Sequence, residues 1–243
     1  TRNKYTFSGD VNAVATASSA TSSGGAAAGT STVGIFALGG STTTRNKYTY
    51  SGCVSAAATA SSANSNAGSA AGNSTVGIFA RGSSTTTRNK YTYSGDTNAV
   101  ATASSSSSIY GAAAGNATVG IFAFGSSCSV CCPSTARDKY TYSGCTSAAA
   151  TASSAATQGG AAAGTSTVGI FALGDNTTTR NKYTYSGCTS AAATASSTNS
   201  WFGAAAGNST VGIFALGAGG GGTTTRNKYT YSGDTNAVAT ASS

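Results

Sequence analysis

Few residues of this chain carry reactive chemistry, and most of those recur in register. Six cysteines fall into two groups. Cys53, Cys145 and Cys188 each end a Ser-Gly-Cys turn, while Cys128, Cys131 and Cys132 crowd into one stretch, Cys-Ser-Val-Cys-Cys. A Cys-x-x-Cys pair supplies two of the four ligands of a structural zinc, and neither a second pair nor a histidine completes the set. A bridge inside 128–132 would be strained. The three turn cysteines lie in separate units, farther apart than the roughly 7 Å between Cα atoms that a disulfide spans. Asp10, Asp96 and Asp234 stand two residues before Asn12, Asn98 and Asn236, a fragment of a calcium loop. One carboxylate per site is too few for calcium, so each aspartate reads as a cap of its own turn. Asn73, Asn116, Asn176 and Asn208 open Asn-x-Ser/Thr triplets, three of them at hairpin turns. The sequence contains no His and no Glu, and no acid, base and nucleophile cluster. The expectation is a protein without enzymatic activity, with no catalytic residue, no metal and no cofactor.

Charge is equally sparse. Charged residues are 7% of the 243, and the formal net charge of +8 reflects scarce acids rather than a basic tail. Of the 13 Lys and Arg, all but Arg81 lie in Arg-x-Lys pairs such as Arg45 and Lys47. Alternation puts both members of a pair on one strand face, which is expected to open to solvent as a charged rim. No aromatic platform with phosphate clamps accompanies it, so nucleic acid is not an expected partner. The longest apolar runs, such as Val-Gly-Ile-Phe-Ala-Leu-Gly, fall far short of a membrane span, and no insertion is expected. There is no signal-peptide pattern and no initiator Met, as in a mature form or a fragment.

The elements that must position these residues are written six times. TRNKYTYSG occurs at 44–52, 87–95, 179–187 and 225–233, with near-copies at 1–9 and 136–144. The arginines of these stretches, Arg2, Arg45, Arg88, Arg137, Arg180 and Arg226, are spaced by 43, 43, 49, 43 and 46 residues. Periods of roughly 40–50 residues mark propellers or solenoids. Numbered from its alanine run, a unit reads as four strands: Ala-Ala-Ala-Gly; Val-Gly-Ile-Phe-Ala; Arg-Asn-Lys-Tyr-Thr-Tyr; and Asn-Ala-Val-Ala or Ser-Ala-Ala-Ala. The aromatic and β-branched runs favour strands, and the Gly-Asn and Ser-Gly-Asp turns favour hairpins. The expectation is one all-β repeat domain over 1–243, with units starting near 1, 44, 87, 136, 179 and 225. It would be a β-propeller of four-stranded antiparallel blades, five full sets plus one extra hairpin, with Val-Gly-Ile-Phe-Ala the most buried strand. A β-solenoid is the alternative.

The stretch YGAAAGNATVGIFAFG at 110–125 resembles the first two strands of a kelch repeat, with an aromatic-Gly pair, a small-residue strand and a hydrophobic strand ending in Gly. KYTYSGDTNAVATASS resembles the outer two. The resemblance covers nearly the whole chain. It departs from the family in lacking the last-strand tryptophan and, outside Gly39-Gly40, the double glycine.

Two segments per unit escape the repetition. One precedes the alanine strand, at 20–25, 63–68, 106–111, 155–160 and 198–203, always six residues long. The other follows Val-Gly-Ile-Phe-Ala, at 38–43, 81–86, 124–135, 173–178 and 216–224. In a meander these loops share one face, and the uniform turns share the other. Variable loops on a rigid frame are a usual site of recognition. Trp201, Phe202, Tyr110 and Ile109 supply the bulk there, with Asn64, Asn66, Gln158 and Asn199 as polar candidates. These residues point to a binding or attachment module for a glycan or a cell-surface protein, located outside the cell or on a virion, as in adhesins and phage fibres. The alternative is a structural shell, filament or decoration protein, assembled from copies of itself, without a ligand.

Overall fold

The computed structural model describes residues 2–127, 132–217 and 223–241. The expectations for Cys128 and Cys131 lie outside them. Among the described residues every element is a strand. A hairpin of β1 (Arg2–Thr6) and β2 (Val11–Ala15) precedes five four-stranded antiparallel sheets. The first blade is β3 (Ala26–Gly29), β4 (Val33–Ala37), β5 (Arg45–Thr49) and β6 (Val54–Ala58). The second is β7 (Ser69–Gly72), β8 (Val76–Ala80), β9 (Arg88–Thr92) and β10 (Thr97–Ala101). The third is β11 (Ala112–Gly115), β12 (Val119–Ala123), β13 (Arg137–Thr141) and β14 (Thr146–Ala150). The fourth is β15 (Ala161–Gly164), β16 (Val168–Ala172), β17 (Arg180–Thr184) and β18 (Thr189–Ala193). The fifth is β19 (Ala204–Gly207), β20 (Val211–Ala215), β21 (Arg226–Thr230) and β22 (Thr235–Ala239). Strands in each blade pair in chain order, and the alanine strands β3, β7, β11, β15 and β19 adjoin one another along the axis. This is the arrangement of a β-propeller, and it excludes the solenoid.

Small residues permit the crowding at the axis. A methyl group on Gly120 would lie 2.8 Å from the Tyr142 hydroxyl and 3.0 Å from Cβ of Ala71 in the preceding blade. The strand Val-Gly-Ile-Phe-Ala is the most buried of its blade, as expected, with Ile78, Ile121 and Ile170 fully enclosed. The apolar core lies between blades rather than within one sheet. One cluster joins Ile78 and Ala80 to Phe122 and Tyr140, and the next joins Ile121 and Ala123 to Phe171 and Tyr183.

The arginines overturn the expectation of a solvated rim. Arg45, Arg88, Arg137 and Arg180 are at most 2% exposed. Each guanidinium crosses to the next blade and lies 4.6–4.7 Å over Phe79, Phe122, Phe171 or Phe214. Its nitrogens donate to a side chain on the third strand there: Asn89, Asp138, Asn181 or Asn227. They also donate to one on the fourth strand: Asn98, Ser147, Ser190 or Asn236. The physical reason is position. The third strand has neighbours on both edges and blades on both faces, so no side of it stays wet at Arg, Asn and Tyr. Burial holds Arg45, Arg137 and Arg180 down at about 10, still cationic at neutral pH. A desolvated cation over an aromatic ring is worth about 2 kcal/mol or more.

A second set of contacts runs along the outer turns. Thr59 donates its hydroxyl to the Asp96 carbonyl and its amide to the Asp96 carboxylate. Thr16, Thr102 and Thr151 donate their hydroxyls to the carbonyls of Cys53, Cys145 and Cys188, and Thr194 donates to Asp234. The aspartates therefore stitch neighbouring blades together instead of only capping their own turns. Thr240 Oγ1 donates to the Asp10 carbonyl at 2.6 Å, which ties the fifth blade to the hairpin. Arg2 in turn reaches Ser55 at 2.9 Å, Asn46 at 3.0 Å and the Phe36 ring at 4.7 Å in the first blade. The extra hairpin thus closes the circle between the last blade and the first.

Candidate binding site at the mouth of the axis

The two variable segments of each unit meet, as the meander requires. Ser23 bridges Gly39, Asn66 bridges Gly82, Ile109 bridges Gly125 and Gln158 bridges Gly174. Thr42, Thr85, Ser134 and Thr177 bridge Ser65, Ser108, Thr157 and Ser200 of the following blade. Backbone pairing thus holds the described parts of these segments. The buried hydroxyls of Ser65, Ser108 and Ser200 donate to the carbonyls of Arg81, Phe124 and Leu216.

Gly24, Ala67, Tyr110, Gly159 and Phe202 stand at the same place in successive blades, around the mouth of the axis. Tyr110 donates its amide to Ala67 at 2.8 Å, and Gly159 donates to Tyr110 at 3.0 Å. All five residues have φ between 51° and 62°, the left-handed region. Glycine takes that conformation freely, whereas a bulky side chain there is strained and worth a functional question. At two of the five positions the strain is accepted for an aromatic ring.

Those rings converge. Tyr110 and Phe202 meet edge to face at 4.9 Å, across the intervening Gly159, and Trp201 stacks on Phe202 at 5.4 Å and 16°. Gly159 makes room for the pair: a methyl group on it would lie 2.7 Å from Trp201 Cδ1. Phe202 is 50% exposed, Trp201 and Tyr110 are half-buried, and Trp201 Nε1 is buried without a hydrogen-bond partner. The fourth apolar candidate, Ile109, is 6% exposed and packs inward, so it supports the site from beneath. Asn64 and Asn199 are exposed, and Asn66 and Gln158 are half-buried, spread over three blades rather than gathered beside the aromatics.

On the opposite face, Asn73 and Asn116 accept turn amides through Oδ1 and donate Nδ2 to Ala117 and Ser166 of the next blade. A shallow cleft there is lined by Asn116, Lys139, Ser166 and Tyr185. The thiols of Cys53, Cys145 and Cys188 are free, and Cys132 is disulfide-bonded. Among the described residues no three His, Cys, Asp or Glu side chains converge as a metal site would require. Among the described residues no helix is long and apolar enough to cross a membrane.

No family model matches the sequence, and no curated protein matches it. Among solved structures, the chain is similar to that of YjhT, with a TM-score of 0.66 at 10% identity, covering 83% of this chain and 74% of that one. At that identity the likeness shows the fold alone, a propeller of repeated four-stranded blades.

Proposed function

We propose that this protein is a non-enzymatic recognition module that presents the variable-loop face to a glycan or a cell-surface protein. The observation that carries the reading is the aromatic cluster of Tyr110, Trp201 and Phe202 at the mouth of the axis, built on backbone that favours glycine. A partly exposed aromatic floor suits the apolar face of a sugar ring, or an anchor side chain of a partner. The absence of His and Glu from the sequence supports a role without acid–base chemistry. A place outside the cell or on a virion, as an adhesin or fibre component, accords with this reading, as does the kelch-like pattern of the units.

The test is a glycan array and a cell-binding assay with the purified chain, each repeated with Phe202→Ala and Phe202→Gly. Truncation of a contact aromatic removes about 2 kcal/mol or more of binding energy. The unfolding midpoint should hold or rise for Phe202→Gly, because glycine relieves the left-handed backbone. Retained binding by both variants would refute the site. A steep loss of stability would show the ring to be a packing element. A structural shell or filament subunit is the second reading, favoured by the uniformity of the opposite face, and it predicts self-assembly without ligand.

A further inference from the structure

We propose that the space between the fifth blade and the first is a docking seat for one β-hairpin of the repeat's own inner type, added to the free edge of β1. Four observations outline the seat. First, among the described residues β1 pairs with β2 alone, whereas β5, β9, β13, β17 and β21 each also pair with a Val-Gly-Ile-Phe-Ala strand. Second, Ala28, Ala71, Ala114 and Ala163 each press on a glycine of the next blade, 3.0–3.2 Å from where its methyl group would stand. Ala206, the next in that series, is exposed, and Gly34 across the space has only Tyr50 and Phe36 as nearest neighbours. Third, Arg226 is 8% exposed and lies over Tyr5 at 5.8 Å, but has no phenylalanine under it among the described residues. Fourth, Phe36 is partly exposed where Phe79, Phe122, Phe171 and Phe214 are at most 2% exposed.

These open contacts prescribe the occupant. Antiparallel to β1, in the register of the blades, it must set an alanine against Gly34, a glycine against Ala206 and a phenylalanine under Arg226. Ala-Ala-Ala-Gly, a tight turn and Val-Gly-Ile-Phe-Ala meet all three demands. The mode is strand addition to an exposed sheet edge, with backbone pairing for affinity and side-chain pockets for selection. The occupant is a partner polypeptide presenting such a hairpin. A second copy of this chain is excluded by symmetry of cost, because exchanging its own inner hairpin opens in the donor the gap it closes in the acceptor. The seat is independent of the aromatic site.

The test titrates chain 1–243 with a peptide of residues 112–123, flanked by lysines for solubility, in calorimetry and thermal unfolding. Saturable binding at one peptide per chain is expected, with a raised unfolding midpoint. The same peptide carrying Phe122→Ser should bind at least about tenfold more weakly, since it lacks the ring for Arg226. Phe7→Asp in the protein should abolish binding, because Phe7 is half-exposed at the position where Tyr50 packs on Gly34, while the loss of its edge contact with Tyr5 lowers the peptide-free midpoint only slightly. As a second arm, a copy of residues 198–215 appended after Ser243 should raise the midpoint without any peptide. Failure of both peptide and appended copy to stabilise the chain would overturn the proposal. So would equal binding of the two peptides, or a dimer in sedimentation that excludes the peptide.

Discussion

At the residue scale, Asp138 is the exception among the arginine clasps. It holds the place of Asn46, Asn89, Asn181 and Asn227, and pairs with Arg88 at 3.1 Å, both side chains fully buried. Its oxygens also accept from the Ser105 amide and hydroxyl and from Ser147. The neighbouring joints show that asparagine serves the same geometry. Asp138→Asn should therefore change stability by no more than about 1 kcal/mol, whereas Arg88→Ala, which leaves a buried carboxylate alone, should cost about 3–5 kcal/mol, both read by denaturant unfolding. The outer aspartates respond to pH instead. Burial opposes the charged form of Asp96, but the Thr59 amide, the Tyr91 hydroxyl, the Thr59 hydroxyl and Lys47 outweigh it and hold the carboxyl below its ordinary value. Asp234 is held down in the same way by Thr194, Tyr229 and Lys182. A depressed carboxyl stabilises the fold fully above its unfolded value of about 3.9 and ceases to do so as pH falls through the folded value. Unfolding midpoints of the parent should fall below about pH 4, and the double variant Asp96→Asn, Asp234→Asn should flatten that fall.

At the element scale, the invariant glycine of Val-Gly-Ile-Phe-Ala sets the spacing of the blades. Gly120→Val forces a branched side chain against the Tyr142 hydroxyl and Ala71, and should cost about 2 kcal/mol or more in chemical unfolding, as overpacking does. The strands themselves were legible from sequence because each unit repeats the same turns and apolar runs, and all 22 fall where those runs lie. The shared face of the two variable segments followed from strand alternation. The burial of Arg45 and its counterparts was not legible. Alternation assigns side chains to faces, but it does not tell which faces a neighbouring blade will cover, and the partner Phe79 lies in another unit. The stitches from Thr59 to Asp96 escaped for the same reason. Tyr110, Trp201 and Phe202 stood out as bulk among small residues, yet their convergence needed the ring, since it joins the third blade to the fifth. Ile109 looked equivalent to them in sequence and turned inward, because its backbone bridges Gly125 and Ser126.

At the scale of the whole molecule, the circle depends on contacts between its two ends. Removing residues 1–16 would delete the Arg2 clasp on Phe36 and both hydrogen bonds from Thr240 to Asp10. Hydrogen exchange should then speed selectively in the first and fifth blades while the third stays protected, since local opening follows lost neighbours. The pairing between inner and outer strands has a further consequence. Gly34 faces Tyr48, Gly77 faces Tyr91, Gly120 faces Tyr140, Gly169 faces Tyr183 and Gly212 faces Tyr229, in one register throughout. Any Val-Gly-Ile-Phe-Ala strand can therefore accept a wrong Arg-Asn-Lys-Tyr-Thr strand at almost no enthalpic penalty. Only the connecting lengths discriminate, and those are nearly equal for most units. Such a chain has a frustrated search: rings shifted by a whole unit compete with the native one, and at high concentration the wrong strand comes from another molecule. Refolding yield should fall steeply with protein concentration.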